Sequence, residues 1–422
     1  MSIFIQNVLL HGKSTNIYVE DNRISYIGEE IRNADICIDG TDKEVFPTLV
    51  NGHTHAAMSL FRGYGDDMPL QEWLSQKIWP AEAKLTQNDV YWGTKLACLE
   101  MIKSGTTLFN DMYWHFHGTA RAIEEMGLRA IVCGVFIDFF NENKAKEQQK
   151  ESESLYHESK QYSSRIQFGL GPHALYTVSA KSLFWIKEFA SEKNLLIHFH
   201  LSETLQEIKE CQKAHNNMLP VEYLQSLGFL CPLLVACHAV YVEDQELDIL
   251  QNNQVSLVHN PTSNLKLGGG KIFRYPQIKA RNIPFCIGTD GCASNNNLSM
   301  LEAMKFAALL QKWANRDTAL LSAQEVWGIA TEKAHKIFRV DAGKIEMGKL
   351  ADFMLVDKQH ILMTPDHNTI SNLVYSAHGG VIDTVVCDGK ILMKNGKVDG
   401  EEEILAKASE IAKKIAFSGT SL

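Results

Sequence analysis

Apolar and polar positions follow two different periods along the chain. The first fifty residues read as short strands, SIFIQNVLL, NIYVE, RISYIGE and DICIDG, parted by polar turns at Asp21-Asn22 and Gly40. The far end returns to this texture in GKLADFMLVD and TVVCDGKILM, with a turn at Lys394-Asn395-Gly396. Two strand-rich ends around a different middle predict a small β-sandwich built from both termini, residues 1–50 and 343–422. The second segment closes in a helix, EEEILAKASEIAKKIAF, which sets Ile404, Ala408, Ile411 and Ile415 on one face. Acids begin it and lysines end it, as the helix dipole prefers. That face packs either on the body of the molecule or on a neighbouring subunit, and a homo-oligomer is expected.

The middle, residues 51–342, alternates strand-like runs with helical stretches. The candidate strands are VFPTLV, TTLFNDM, RAIVCGVFI, IQFGLG, LLIHFHL, LLVACHA, VSLVHN and PFCIGTD. Eight parallel strands with intervening helices predict a (β/α)8 TIM barrel, a fold of typically about 250 residues with insertions. A doubly wound open sheet is the alternative. It calls for a glycine fingerprint after the first strand, and GHTHAA is not one.

Composition narrows the partners. A net charge of −9 with no clustered Lys and Arg argues against nucleic acid. No run of 18 apolar residues suggests a membrane span, and the N-terminus MSIFIQNVLLHGK lacks the basic region of a signal peptide. The nine cysteines form no CxxC pair, and Cys133, Cys237 and Cys286 lie in apolar runs as small buried hydrophobes. A reduced, cytoplasmic protein is the expectation.

The chemistry concentrates at strand ends, where a barrel builds its active site. In "TLVNGHTHAAMS" the apolar run stops at Asn51-Gly52, and alternation points His53 and His55 the same way. Strand four ends in His173, strand five in His198, His200 and then Glu203. Strands six, seven and eight end in His238, His259 and Asp290. One histidine alone is more often a satisfied structural group, but a set stopping at strand ends is not required by packing. Neutral imidazoles and one carboxylate are the ligands of a zinc-class ion. His53, His55, one strand-five histidine and Asp290 make such a set. Parity does not separate His198 from His200, and nearness to the strand end favours His200. Strand four offers no Lys or Glu to bridge a second ion, so one divalent metal, Zn2+, is expected. Hydrolysis also needs a base for the water's proton, supplied by Asp290 and His238, and an acid at the rim, Glu203.

The strings NGHTH, HFHLSE, ACHA, HNPTSNLKLGGG, GTDGCASNNNLSM and GKLADFMLVD together resemble the amidohydrolase superfamily. The closest likeness is to its branch of 5′-methylthioadenosine/S-adenosylhomocysteine deaminases and related chlorohydrolase-like enzymes. The resemblance runs from residue 1 to about 395. It implies the barrel and sandwich, a single zinc-type ion on His53, His55, His200 and Asp290, and His238 and Glu203 as acid/base residues. In the nucleoside deaminases of this branch a glutamate after "IWPxE" contacts the ribose, which implies Glu82 here. His173 matches a further substrate contact, and Glu203 and Asp290 face the reacting ring. The implied activity is hydrolytic deamination of an adenine nucleoside, a small-molecule substrate. The alternative substrates are guanine, cytosine or a triazine. Trp73 and Trp79, in the long connection after strand one, suit either an apolar lid or core packing of that loop. One departure stands out. Where those deaminases carry an arginine at the end of strand three and another in the next loop, this chain has Gly134, then only Lys144 and Lys146. Lysine supplies charge without a bidentate fork, which disfavours S-adenosylhomocysteine more than the other adenine nucleosides.

Overall fold

The computed structural model describes residues 1–68 and 70–417, so the last five residues of the 343–422 segment lie outside the described residues. Strands β1 (Ser2–Leu10), β2 (Lys13–Glu20), β3 (Arg23–Gly28), β4 (Ile36–Asp39) and β5 (Lys43–Pro47) come from the N-terminal end. β6 (Leu49–Thr54), β7 (Thr106–Met112), β8 (Arg129–Phe136), β9 (Ile166–Pro172), β10 (Ile197–Leu201), β11 (Leu234–His238), β12 (Ser256–His259) and β13 (Phe285–Ile287) occupy the middle. β14 (Phe353–Asp357), β15 (Ile382–Cys387) and β16 (Lys390–Met393) follow. The terminal strands form one sheet in the order β16-β15-β14-β5-β1-β2-β3, with β4 on β1. Alternate residues of these strands, Ile3, Ile5, Ile17, Val19, Phe353 and Leu355 among them, meet in a core of their own. The turns fall at residues able to take left-handed backbone, Asp21 (φ 54°) and Asn395-Gly396 (φ 51° and 70°).

The middle strands are parallel and follow chain order from β6 to β13. Inward side chains of Val50, Leu108, Ile131, Cys133, Val235, Cys237, Val258 and Cys286 fill the interior. The ring closes between β13 and β6. Asn51 Nδ2 donates to Thr289 Oγ1 at 2.7 Å, the Thr289 N–H donates to Asn51 Oδ1 at 3.0 Å, and the Asp290 N–H donates to the His53 carbonyl at 3.0 Å.

The expected first strand, VFPTLV, divides between the two sheets. β5 ends at Pro47 in the terminal sheet, and β6 begins at Leu49 in the barrel. Asn51-Gly52 does not stop the strand either. β6 runs on to Thr54 because Asn51 is spent on the seam, while Gly52 lets the walls close: a Cβ there would sit 2.5 Å from Cys286 Sγ. The C-terminal helix Glu401–Phe417 lays Ala408, Ile411 and Ile415 against Ala57, Leu60, Phe61 and Val90 of the barrel. Among the described residues no helix is long and apolar enough to cross a membrane.

Candidate active site

Three histidines reach one centre from the carboxyl ends of β6 and β10. His53 is the fifth residue of β6, His55 follows that strand, and His200 is in β10. Each is aimed by a contact to its far ring nitrogen. His55 Nδ1 donates to the Met112 carbonyl at 2.6 Å, and His200 Nδ1 to the His173 carbonyl at 2.8 Å. His53 Nδ1 lies 2.7 Å from His198 Nε2. This leaves three Nε2 atoms facing inward, with those of His200 and His55 3.4 Å apart. Asp290 supplies the fourth side. Its Oδ1 lies 3.4 Å from His53 Nε2 and 3.3 Å from His55 Nε2. The carboxylate is fixed by Ser263 Oγ (2.6 Å) and Ser294 Oγ (3.0 Å) on Oδ2 and by the Gly291 N–H (2.8 Å) on Oδ1. His238 and Asp290, at φ 71° and 65°, hold left-handed backbone that such residues rarely adopt, a strain found where geometry serves function.

The electrostatics separate acid from ligands. Burial pushes His53, His173 and His238 down to about 4, with neighbouring imidazoles adding to the effect, and His200 falls well below its ordinary value for the same reasons. These rings are therefore neutral at pH 7, the form that offers a lone pair. Burial acts on Asp290 in the opposite sense. The contact with His53 and the imidazoles of His53, His55 and His238 around it outweigh burial and hold that carboxyl well below its usual range. Glu203 goes the other way: burial, reinforced by Asp290, raises it to about 8. Two carboxyls in one site are thus split into an anion and a proton carrier.

Glu203 sits on a turn tied down by Glu207, whose carboxylate accepts the N–H of Ser202 (2.7 Å) and of Glu203 (2.9 Å). Its Oε1 lies 3.7 Å from His238 Nδ1, which also meets Asn264 Nδ2 at 3.0 Å and Asn260 Nδ2 at 3.3 Å. The His173 ring stands 4.9 Å from that of His200, with Nδ1 held 3.0 Å from Thr177 Oγ1. Burial raises the Glu82 carboxyl, while the Tyr113 hydroxyl and His55 act to lower it, so Glu82 belongs to the same electrostatic neighbourhood. Glu82 ends a continuous helical run whose π-turn, Leu74–Ile78, is a form that recurs at functional sites. Trp73 is buried in the core of that connection, whereas Trp79 is 52% exposed.

Several sequence candidates lie elsewhere. His259 stacks on Phe273 (4.5 Å, 14°) and feels His238, but it is not among the grouped donors. Gly134 faces the layer between barrel and helices: a Cβ there would meet Phe168 at 3.2 Å and Leu155 at 3.7 Å. A side chain at that position therefore points away from the mouth, correcting the idea that Gly134 removes a group from the substrate's far end. Lys144 and Lys146 are exposed, and the Lys144 ammonium lies 5.2 Å over the Phe139 ring. Sequence reasoning passed over Asn110, Ser263, Asn264, Ser294 and Glu207. A polar Asn-Asp pair inside the apolar run TTLFNDM was the visible signal for the first. Asp111 beside it accepts from the Ala56 N–H (2.6 Å) and Thr54 Oγ1 (2.9 Å), pinning the chain on both sides of His55.

The donor set tests well for a metal. Three imidazoles with oriented Nε2 atoms converge, Asp290 Oδ1 stands against those of His53 and His55, and His53 Nε2 is buried with no hydrogen-bond partner among the described residues.

Comparison with known proteins agrees with this geometry. The model of the Amidohydrolase family matches residues 45–392. A 5-methylthioadenosine/S-adenosylhomocysteine deaminase of Archaeoglobus fulgidus is 47% identical over 406 residues, covering 96% of each chain. A 5′-deoxyadenosine deaminase of Methanoregula boonei is 44% identical over 98% of this chain and 95% of its own. An adenosine deaminase structure from Xanthomonas campestris, with bound zinc, superposes with a TM-score of 0.91 at 29% identity, covering 99% of this chain and 98% of the other. Barrel, ligand cluster and relatives converge on one statement: the chain belongs to the amidohydrolase family.

Proposed function

We propose that this protein hydrolytically deaminates adenine nucleosides such as 5′-deoxyadenosine, 5′-methylthioadenosine and adenosine, releasing ammonia and the inosine-type product. The observation that carries the reading is the cluster of His53, His55 and His200, with Asp290 against the first two, in a site that also holds Glu203, a carboxyl raised to about 8. The relatives at 44–47% identity carry names of adenine nucleoside deaminases, which supports the substrate class.

His53, His55, His200 and Asp290 fit one divalent ion, and zinc suits neutral imidazole with a single carboxylate. When bound, such an ion supplies Lewis acidity and lowers the pKa of a water from about 15.7 to about 7. The remaining work belongs to the chain. Glu203, protonated at neutral pH, gives its proton to the ring nitrogen beside the amino-bearing carbon as water adds there. His238, neutral and held by Asn260 and Asn264, steadies the developing oxyanion. Asp290 receives the water's proton and passes it on toward the amine, which leaves as ammonia. The amine is too poor a leaving group to depart as an anion, so this proton delivery carries much of the rate. Glu82 binds the ribose, and His173 makes a further substrate contact. Residues 51–342, together with Leu49 and Val50 of β6, form the catalytic unit, with the rest of 1–50 and 343–422 as its companion domain, in a cytoplasmic homo-oligomer. Nine free cysteines suit a reducing compartment.

Ammonia release from zinc-loaded protein tests the reading against 5′-deoxyadenosine, 5′-methylthioadenosine, S-adenosylhomocysteine, adenosine, guanine and cytosine. Turnover of the adenine nucleosides is expected. Turnover of guanine or cytosine alone would move the same machinery to a different heterocycle.

A further inference from the structure

His55 and His200 give their Nδ1 protons to backbone carbonyls, which only accept. Their tautomers are thereby locked with Nε2 open toward the centre. His53 is different. Its Nδ1 faces another imidazole, His198 Nε2, at 2.7 Å, and both rings are enclosed, with 0% and 1% exposure. On its other side His198 Nδ1 meets Asn110 Nδ2 at 2.6 Å. Asn110 Nδ2 also donates to the Gly52 carbonyl at 3.3 Å, and Asn110 Oδ1 accepts from Cys133 Sγ at 3.4 Å.

Each neutral imidazole carries one proton, so the chain of contacts has a direction. With the amide nitrogen toward His198, the protons run inward, from Asn110 to His198 Nδ1 and from His198 Nε2 to His53 Nδ1. His53 then carries its own proton on Nε2, facing Asp290 Oδ1 at 3.4 Å. In that polarity His53 cannot serve as a ligand, because a protonated Nε2 has no lone pair to give. For His53 to act as a ligand every bond must reverse. His53 Nδ1–H must donate to His198 Nε2, and His198 Nδ1–H must donate to an amide oxygen. Turning the Asn110 amide over gives up its long contacts to Gly52 and Cys133 and sets Oδ1 beside the Gly52 carbonyl, a cost the stronger bond to His198 must offset.

We propose that His198 and Asn110 form a reversible hydrogen-bond relay that sets which nitrogen of His53 bears the proton, and so sets the affinity of the centre for its metal. Asn110 is a positioning residue acting through His198. The proposal rests on the reading of the cluster as a metal centre.

Zinc affinity of the metal-stripped full chain, measured by competition with a chromophoric chelator, tests it without reference to activity. Asn110→Leu removes the acceptor and should weaken zinc binding roughly 10- to 100-fold, the usual effect of losing a partner that orients a ligand. Asn110→Asp offers only acceptor oxygens, presets the ligand polarity, and should bind zinc at least as tightly as the wild type. Equal affinities for wild type and Asn110→Leu would overturn the relay. So would a tenfold or greater loss in Asn110→Asp, and this variant decides the matter alone should the leucine variant not fold. Wild-type protein that takes up no zinc would instead remove the metal-centre reading, and the relay with it.

Discussion

The barrel buries charged groups at both ends, and the two ends treat them in opposite ways. At the amino ends of the strands Arg129 grips Asp352 with two bonds, 2.6 and 3.2 Å, and Asp388 with a third at 2.6 Å. Arg165 lies 3.7 Å from Asp388, Asn22 donates to Asp388 at 3.0 Å, and the Asp388 N–H donates to Asp352 at 2.7 Å. Cations there meet anions, and the cluster ties the barrel to the terminal sheet. At the carboxyl ends no arginine or lysine among the described residues pairs with Glu203 or Asp290. His53 Nε2 has no hydrogen-bond partner, Glu203 is raised to about 8, and several imidazoles are driven neutral. A satisfied cluster fastens the fold, and one whose donors stay unpaired within the chain suits a ligand.

Mutation should separate the two ends cleanly. His200→Ala removes an open Nε2 from the mouth and should cost roughly a thousandfold in ammonia release, the several kcal/mol a bound ion supplies. Metal content measured on the same sample should fall with the rate, while the melting profile stays close to wild type. Arg129→Met should do the reverse. It leaves Asp352 and Asp388 buried without their main partner and should destabilise by about 3–5 kcal/mol in urea unfolding. The folded fraction of that variant should keep the wild-type kcat/KM. The smallest effect concerns pH. The acid form of Glu203 exists below its value of about 8 and is lost as pH rises through it. The rate should therefore be flat toward neutrality and decline on the alkaline side, by about tenfold per unit once the acid is mostly ionised.

The same comparison explains what the sequence discloses. Strand alternation and histidines halting at strand ends are local, and they marked the barrel, the mouth and the separate terminal sheet. The choice between His198 and His200 was harder, since both share a strand face; in space His198 turns to His53 Nδ1 while His200 Nε2 faces the centre. The Asn51-Gly52 pair looked like a turn because its purpose, the seam to Thr289, lies 238 residues away. The Arg129 cluster was invisible for the same reason, with Asp352 223 positions distant. Asn110, Ser263 and Ser294 act by orienting other residues' side chains, and no spacing within one strand reveals that. Gly134 was misjudged because alignment gives a position without the face it occupies.

The most direct test of the account is Glu203→Gln, assayed for bound zinc and for ammonia release from 5′-deoxyadenosine in the same preparation. Glutamine keeps the shape and loses the proton. The account predicts full metal content with a rate reduced by roughly 100-fold or more. Full metal content with near wild-type turnover would contradict it, because the proton would then come from elsewhere.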